Sequence, residues 1–335
     1  MSDTLHVPLS VLDLAPVPQG AKARDAFHTS LALAQQSETL GFNRYWLPEH
    51  HNMTGIASAA TAVLIGYLAA NTTTLRLGSG GVMLPNHSPL VIAEQFGTLD
   101  SLYPGRVDLG IGRAPGSDQP TMMALRRHRV PQSDNFPADI RQITDWFDAE
   151  QSSVHVVKPV PGLGLKIPVW LLGSSLYSAR LAAQLGLPFV FASHFAPDLL
   201  FDALHLYRQD FIPSARLQSP YAMICINVVA ADDEREAEYL FTSMQQQFIN
   251  LRRGMPGPLP SPVENMDSLW SSSERYGVQQ ALSMSLVGSK DKIRHGLDAL
   301  IRKTGADEIM VNGQIFDRQA RLHSFALTMA AHRSL

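Results

Sequence analysis

The amino-acid sequence predicts a closed (β/α)₈ TIM barrel that forms a single domain over residues 1–335. Apolar runs of strand length alternate with amphipathic helical stretches along the whole chain, which is typical of βα units around parallel strands. Eight such apolar runs occur, and eight is the number of strands that a closed barrel needs. A length of 335 residues would also suit two ordinary domains, but no linker-like segment interrupts the middle of the chain.

The predicted elements follow one another in regular order. Strands are predicted at Val7–Leu14, Arg44–Pro48, Leu75–Met83, Val107–Gly112, Pro168–Gly173, Phe189–Ala192, Tyr221–Ala230 and Glu308–Asn312. Helices are predicted at Arg24–Leu40, Ala59–Ala70, Leu90–Leu102, Asp139–Phe147, Ser178–Leu185, Pro197–Phe211, Asp233–Leu251, Asp291–Lys303 and Arg318–Ala330. Two segments break the rhythm, Ala114–Pro137 after the fourth strand and Arg253–Tyr276 before the last βα unit. We interpret both as insertions that cover a pocket at the carboxyl ends of the strands.

Composition excludes several classes of function. The net charge is −3 and the 27 Lys and Arg residues form no long runs, so nothing indicates a nucleic-acid partner. The single cysteine, Cys225, lies in an apolar run, which predicts a buried thiol and rules out a disulfide within the chain. Neither a secretion signal nor a membrane-spanning segment is evident, and we therefore expect a cytoplasmic protein.

An anion site is predicted where the fifth strand runs into a helix. The segment LLGSSLYSARLAAQLG places Gly173, Ser174 and Ser175 at this junction, and free amides at a helix amino terminus bind phosphate. Arg113, which ends the preceding strand, could add a charge-assisted hydrogen bond. The alternatives are a serine that only caps the helix and an arginine that is only structural. Gly110 and Gly112 also resemble a dinucleotide fingerprint, but Pro115 stands at the third glycine position and weakens that reading.

Two further strand ends carry candidate site residues. Gly80 and Gly81 follow Ser79 inside an apolar β-rich run, which a bulge, a ligand against the backbone or simple packing would explain. His50 and His51 are adjacent at a strand end, so their side chains should point to opposite sides. They are therefore poor joint metal ligands, and no other histidine or carboxylate stands at a spacing that completes a metal site. One of the two suits the role of a general acid or base facing the pocket, for which an imidazole pKa near neutrality is appropriate, or else it only positions a loop.

Three blocks together resemble the bacterial luciferase superfamily of flavin-dependent barrel enzymes. They are RYWLPEHHNMTG, TLRLGSGGVMLPNHSPLVIAEQFGTLDSLYPGRVDLGIGRAPG and PVWLLGSSLYSARLAAQLGLP, and they cover most of the first two hundred residues in the order of the family. The resemblance implies an FMN-dependent, two-component monooxygenase. In such a system a separate NAD(P)H:flavin reductase delivers reduced FMN, and dioxygen then oxygenates a small organic substrate.

The resemblance also implies roles for individual residues. The flavin ring would lie over the backbone of Ser79, Gly80 and Gly81, where family members carry a non-proline cis peptide bond. Arg113 and Ser175 match phosphate-binding positions, and His50 matches the histidine near the reactive edge of the flavin. A homodimer packed through barrel helices is the expected assembly. Where bacterial luciferase has a reactive cysteine this chain has Gly112, so we do not expect light emission.

Three rival readings remain at this point. The same fold can use a deazaflavin to transfer hydride, although its longer acidic tail would suit a more basic approach than this sequence shows. A flavin-binding protein without turnover is the second. A metal-dependent barrel hydrolase is the third, and the arrangement of the histidines disfavours it. The sequence does not identify the substrate.

Overall fold

The structure is a computed structural model, and it describes residues 7–113, 119–125, 135–148 and 156–335. Ten strands lie in these residues. They are β1 (Leu9–Leu12), β2 (Arg44–Leu47), β3 (Arg76–Ser79), β4 (Val82–Met83), β5 (Val107–Gly112), β6 (Val169–Gly173), β7 (Phe189–Phe191), β8 (Ala222–Ala231), β9 (Leu286–Ser289) and β10 (Glu308–Asn312).

Eight of the strands close into a parallel barrel, which confirms the predicted fold class. The barrel order is β1, β2, β3, β5, β6, β7, β8 and β10, and β10 pairs with both β8 and β1. In the closing register Ile309 lies opposite Leu9 on one side and Ile224 on the other. All eight predicted strands therefore correspond to barrel strands.

Helices surround the barrel. The described residues contain α1 (Ala23–Thr39), α2 (Thr61–Ala69), α3 (Pro89–Leu102), α4 (Gln119–Leu125), α5 (Phe136–Phe147), α6 (Leu176–Leu185), α7 (Leu200–Gln209), α8 (Glu234–Arg252), α9 (Ser272–Ala281), α10 (Lys290–Thr304) and α11 (Arg318–His332). In the portion of the chain described, none of them combines the length and the apolar character needed to cross a membrane.

The sequence prediction differs from the structure at two strands. The predicted third strand is split at Gly80–Gly81, a cis peptide bond, into β3 and β4. Strand β9 was not predicted, because it is a four-residue, half-buried strand that pairs only with Val228–Ala231, the part of β8 that extends beyond the barrel. A pattern that short does not stand out from a loop.

A layer of charged side chains fills the amino-terminal end of the barrel. Arg44 donates to Asp108 at 2.8 Å and to Glu308 at 2.9 Å, and all three side chains are nearly inaccessible to solvent. Above this layer the rings of Trp46 and Trp170 meet edge to face, with centroids 5.3 Å apart. Because these layers close one end, a ligand can enter the barrel interior from the carboxyl ends of the strands.

The second predicted insertion crosses the open end of the barrel. The amide of Leu259 donates to the carbonyl of Val17 at 2.8 Å, and the Gln19 amide donates to the Leu259 carbonyl at 2.9 Å. Pro256 and Gly257 line the cavity below, as the interpretation of this segment as a cover predicts. Of the first predicted insertion, Ala114–Pro137, residues 114–118 and 126–134 lie outside the described residues.

Candidate active site

A cavity of about 810 Å³ opens at the carboxyl ends of the barrel strands. This volume lies in the upper part of the range of small-molecule and cofactor sites. Its floor is the top of the barrel interior, where Leu12, Val190, Cys225 and Met310 present an apolar surface. Polar groups stand around this floor at the strand ends, so the cavity combines a dry base with a polar rim.

The predicted anion site assembles at one side of the cavity. Arg113 after β5, Ser174 and Ser175 after β6 all line it. The guanidinium of Arg113 lies 4.3 Å from the centroid of the Tyr177 ring, which belongs to the first turn of α6. The arginine is therefore held at the amino terminus of the same helix that the two serines precede, as the sequence predicted.

Ser175 occupies the N-cap position of α6 without performing the usual capping function of its side chain. Its backbone is extended, with φ −139° and ψ 160°, but its hydroxyl accepts no hydrogen bond from the amides of the first turn. An N-cap serine usually satisfies one of those amides. Here both the hydroxyl and the helix amides remain available to an anion.

Glycines form the wall nearest to the apolar floor. Gly80 and Gly81 line the cavity, but the packing of the protein itself also requires glycine there. A Cβ on Gly80 would lie 2.7 Å from Leu12 Cδ1, and one on Gly81 would lie 2.8 Å from the Gly110 carbonyl oxygen. Ser79 does not reach the cavity wall, because its hydroxyl donates to the Gly110 carbonyl at 2.8 Å and accepts from the Gly110 amide at 2.9 Å.

Two other glycines of the wall have different environments. A Cβ on Gly173 would lie 2.3 Å from Ser178 Oγ, so glycine is needed for α6 to approach β6. At Gly112 the nearest atom to an added Cβ is the Val82 carbonyl oxygen at 3.9 Å. The protein would thus tolerate a side chain at Gly112, and its absence leaves space in the cavity beside Arg113.

His50 faces the cavity and is half-buried. Its Nδ1 is buried and has no hydrogen-bond partner within the described residues. Loss of hydration lowers the pKa of His50 to about 4, with the charge of Glu49 opposing this and that of His51 adding to it. The expected pKa near neutrality is therefore wrong, because the sequence does not show how deeply the ring is buried. At neutral pH His50 is an uncharged imidazole.

His51 turns away from the cavity, as the alternation along an extended segment predicts. Its Nε2 lies 2.7 Å from Glu49 Oε1, and the Nε2 of His87 lies 2.8 Å from the same oxygen. The other carboxylate oxygen of Glu49 accepts the Met83 amide at 3.0 Å. Burial raises the pKa of Glu49, but the hydrogen bonds from His87 and His51 outweigh this effect. The pKa of Glu49 is therefore lowered from its usual value.

The fold brings His87 to Glu49 and His51, a grouping that the sequence spacing does not indicate. Glu49, His51 and His87 place potential ligand atoms within 4.8 Å of one another. His87 follows β4, far from Glu49 along the chain, and only the fold brings it close. The three side chains lie behind the cavity wall, and in the structure they clamp the segment after β4 to the end of β2.

His194 is a second, half-buried histidine at the cavity. Its Nδ1 is buried without a partner in the described part of the chain. Burial, with a contribution from His50, lowers its pKa to about 3. Asn227 donates to the His194 carbonyl at 2.6 Å and accepts from Asn312 at 2.8 Å, which fixes the segment after β7.

The last two turns of α8 form a wall that sequence reasoning missed. Gln247, Phe248, Leu251 and Arg252 lie on one face of the helix and line the cavity. Their spacing is that of a helix face, but nothing in the sequence shows that this face covers a barrel mouth instead of a helix neighbour.

Asp13 and Cys225 are buried residues near the site. Asp13 forms a buried ion pair with Arg321 at 2.7 Å and does not line the cavity. Cys225 is buried and free, and burial raises the pKa of its thiol. The prediction of a buried thiol is confirmed.

The residues present fit a flavin that carries a phosphate group. An uncapped helix terminus with a free hydroxyl and a stacked arginine suits the phosphate, and the apolar floor suits a planar ring. The partnerless Nδ1 atoms of His50 and His194 provide hydrogen-bonding groups above that floor.

Comparisons with known proteins agree with this assignment. The sequence profile of the luciferase-like monooxygenases matches residues 7–308. A luciferase-like monooxygenase of Escherichia coli (strain K12) is 72% identical over 329 residues, which cover 98% of each chain. The crystal structure of apo-MsnO8 is 32% identical and superposes with a TM-score of 0.86, covering 98% of this chain and 99% of that one.

A more distant solved structure shares the fold. It is the oxygenating constituent of 3,6-diketocamphane monooxygenase of Pseudomonas putida, a type II Baeyer-Villiger monooxygenase in complex with FMN. The TM-score is 0.73 at 19% identity, over 96% of each chain. From the profile match and the close relative we conclude that the chain belongs to the luciferase-like monooxygenases, a family of flavin-dependent oxidoreductases.

Proposed function

We propose that this protein binds reduced FMN and uses dioxygen to oxygenate a small organic substrate. The observation that carries the proposal is the meeting of Arg113, Ser174 and Ser175 at one cavity, which the Gly80–Gly81 backbone and His50 also line. The phosphate would bind at the amino terminus of α6, and the ring would lie on the apolar floor. The FMN complex of the P. putida enzyme supports FMN as the flavin.

The flavin supplies the reaction with dioxygen, and the protein supplies the surroundings. Leu12, Val190 and Met310 exclude water from the floor, which protects a reactive cofactor from wasteful reactions. Because His50 is uncharged at neutral pH, its Nδ1 can accept or donate one hydrogen bond according to its tautomer. We assign His50 the task of holding or passing a proton at this atom.

The proposal includes two partners. A separate NAD(P)H:flavin reductase would supply the reduced flavin, since the sequence contains no nicotinamide-binding motif. A homodimer through α2 and α3 is supported by apolar side chains exposed on these helices, with Val63 74% and Leu102 64% accessible. The cytoplasm, where NAD(P)H is available, is the compartment that we propose.

Anaerobic titration with reduced FMN, followed by rapid mixing with aerated buffer, tests the function. We expect saturable binding, and reoxidation of the bound flavin more slowly than that of free FMN. Oxygen consumption in the presence of a substrate should yield an oxygenated product. Tight binding with reoxidation to hydrogen peroxide alone, whatever substrate is added, would instead favour a flavin-storing protein, and failure to bind FMN while binding a deazaflavin would favour hydride transfer.

A further inference from the structure

The charged groups that line the cavity include one that the proposed function does not use. Among the lining residues that the structure describes, Arg113 and Arg252 are charged and no carboxylate is present. The proposed function, on which this inference rests, uses Arg113 for the flavin phosphate. That leaves the guanidinium of Arg252 without a counter-ion in the wall formed by α8.

Arg252 differs from its neighbour in how its charge is compensated. Arg253 forms an ion pair with Glu274 at 2.7 Å and donates to the Leu269 carbonyl at 3.0 Å, so it fastens the end of α8 to the segment that leads into α9. No carboxylate lies within ion-pair distance of Arg252 in the described residues. A basic residue in the last turn of a helix is favourable for the helix dipole, but this effect does not require the guanidinium to line a cavity.

The guanidinium of Arg252 packs against a glycine on the adjacent helix. A Cβ added to Gly277 of α9 would lie 2.2 Å from Nη1 of Arg252 and 3.0 Å from its Cζ. The guanidinium therefore lies directly against the bare backbone of α9. This contact holds it beside the cavity, where it remains exposed to an incoming ligand.

The surroundings of Arg252 indicate the rest of the ligand. Phe248 and Leu251 precede it on the same helix face, and Met53 and Ile56 line the cavity as well. The Oε1 of Gln247 is buried there and has no partner within the described part of the chain. Within the ranges that the structure describes, Arg252 has no helix amino terminus beside it that would add backbone amides to the site. A single guanidinium of this kind suits a monovalent carboxylate better than a phosphate.

We propose that Arg252 binds the carboxylate of the substrate, so that the protein oxygenates organic acids with an apolar body. The carboxylate would stay at the mouth beside α8 and α9, and the apolar body would extend over the floor towards Gly80 and His50. In this arrangement the two arginines separate the two anions, with Arg113 serving the cofactor and Arg252 serving the substrate.

Binding of a matched pair of probes tests the assignment without relying on turnover. We would titrate octanoate and its uncharged counterpart octanamide by calorimetry into the wild-type protein, both flavin-free and loaded with FMN. Octanoate should bind more tightly than octanamide. Arg252→Gln should lower the affinity for octanoate by about tenfold to a hundredfold, the effect of losing a charged hydrogen bond, and should leave octanamide and FMN binding unchanged.

Three further variants sharpen the result. Arg252→Lys should retain part of the preference for octanoate. Gly277→Ala favours the helix but displaces the guanidinium, so it should weaken octanoate binding without loss of folding. Arg253→Gln, the matched control, should keep the preference.

Several outcomes would overturn the assignment. In the first, the wild-type protein binds neither probe or binds both equally. In the second, Arg252→Gln keeps the preference for octanoate. Loss of FMN affinity in Arg252→Gln equal to that in Arg113→Ala would make Arg252 a cofactor ligand instead. If FMN fails to bind to the wild type while the octanoate preference is present, the proposed flavin function fails and the anion site stands.

Discussion

The guanidinium of Arg113 is stacked on the ring of Tyr177, with Cζ 4.3 Å from the ring centroid. Arg113 follows β5, whereas Tyr177 lies in the first turn of α6, so the contact joins two neighbouring βα units at the cavity. A stacked arginine is already partly ordered before a ligand arrives. The proposed anion site is thus largely formed in the protein itself.

The first prediction concerns this arginine. Arg113→Ala should weaken the binding of reduced FMN by about 1.5 to 3 kcal/mol, because it removes a hydrogen bond to a charged phosphate. Anaerobic fluorescence titration measures the change. Arg180 lies in α6, as Tyr177 does, but it does not line the cavity, and its Nε is 3.9 Å from the Asp210 carboxylate. Arg180→Ala is therefore the matched control and should bind FMN normally. Unchanged affinity in Arg113→Ala would remove this residue from the site.

The second prediction concerns His50. His50→Ala should still bind reduced FMN, because the phosphate site lies at α6, but it should form less oxygenated product and more hydrogen peroxide. The physical reason is the loss of the group that we assign to proton transfer, which typically contributes about a hundredfold or more to rate. Product and peroxide are measured after a single turnover. His323→Ala, which alters an exposed histidine paired with Asp232, serves as the control. Normal product yield in His50→Ala would make this histidine structural.

The repeating pattern of the sequence was sufficient to predict the barrel and one side of the site. Strand ends of parallel strands meet at one face, so Arg113, Ser174 and Ser175 could be placed together from their positions alone. Whether Ser175 caps its helix could not be decided in this way, because serine is a favoured cap residue but its side chain caps only in a suitable rotamer, which the sequence does not show. The structure shows the hydroxyl uncommitted to the helix.

Contacts between distant segments were beyond prediction. His87 meets Glu49 only because the segment after β4 lies beside the end of β2, and no spacing rule encodes that contact. The approach of Arg252 to Gly277 depends on how α8 and α9 cross above the barrel. The pKa of His50 likewise depends on burial, which follows from tertiary packing rather than from neighbours in sequence.

The third prediction compares two glycines of one strand. An added Cβ on Gly110 would lie 2.1 Å from the Ser79 carbonyl oxygen, whereas on Gly112 the nearest atom is 3.9 Å away. Gly110→Ala should therefore lower the free energy of unfolding by about 1 to 3 kcal/mol or more, through overpacking. Gly112→Ala should change it by about 0.5 kcal/mol at most.

Urea unfolding of the two variants measures this difference. Gly112→Ala should in addition weaken FMN binding, because its methyl group would occupy space beside Arg113 in the cavity. Equal stability of the two variants would contradict the close approach of Gly110 to β3.

The fourth prediction is a loss of stability in mild acid. Burial lowers the pKa of His50 to about 4 and that of His194 to about 3, whereas in the unfolded chain both are near 6.5. The unfolded state therefore takes up protons first. The stabilising contribution is complete above about pH 6.5 and falls as the pH drops through about 4 for His50 and about 3 for His194. At about pH 5 each histidine should cost about 2 kcal/mol of unfolding free energy.

Urea unfolding of the flavin-free protein at about pH 7.5 and about pH 5 tests this. In the interval chosen the carboxylate of Glu49 stays ionised, because its pKa is lowered from 4.5. Between the two pH values, the free energy of unfolding of His194→Gln should fall by about 2 kcal/mol less than that of the wild type. This difference does not depend on the absolute stability of the variant. His323→Gln, an exposed control, should show the wild-type loss. If the free energy of unfolding of His194→Gln falls by as much as that of the wild type, the imidazole of His194 is protonated without cost in the folded protein. In that case His194 is not held uncharged beside His50.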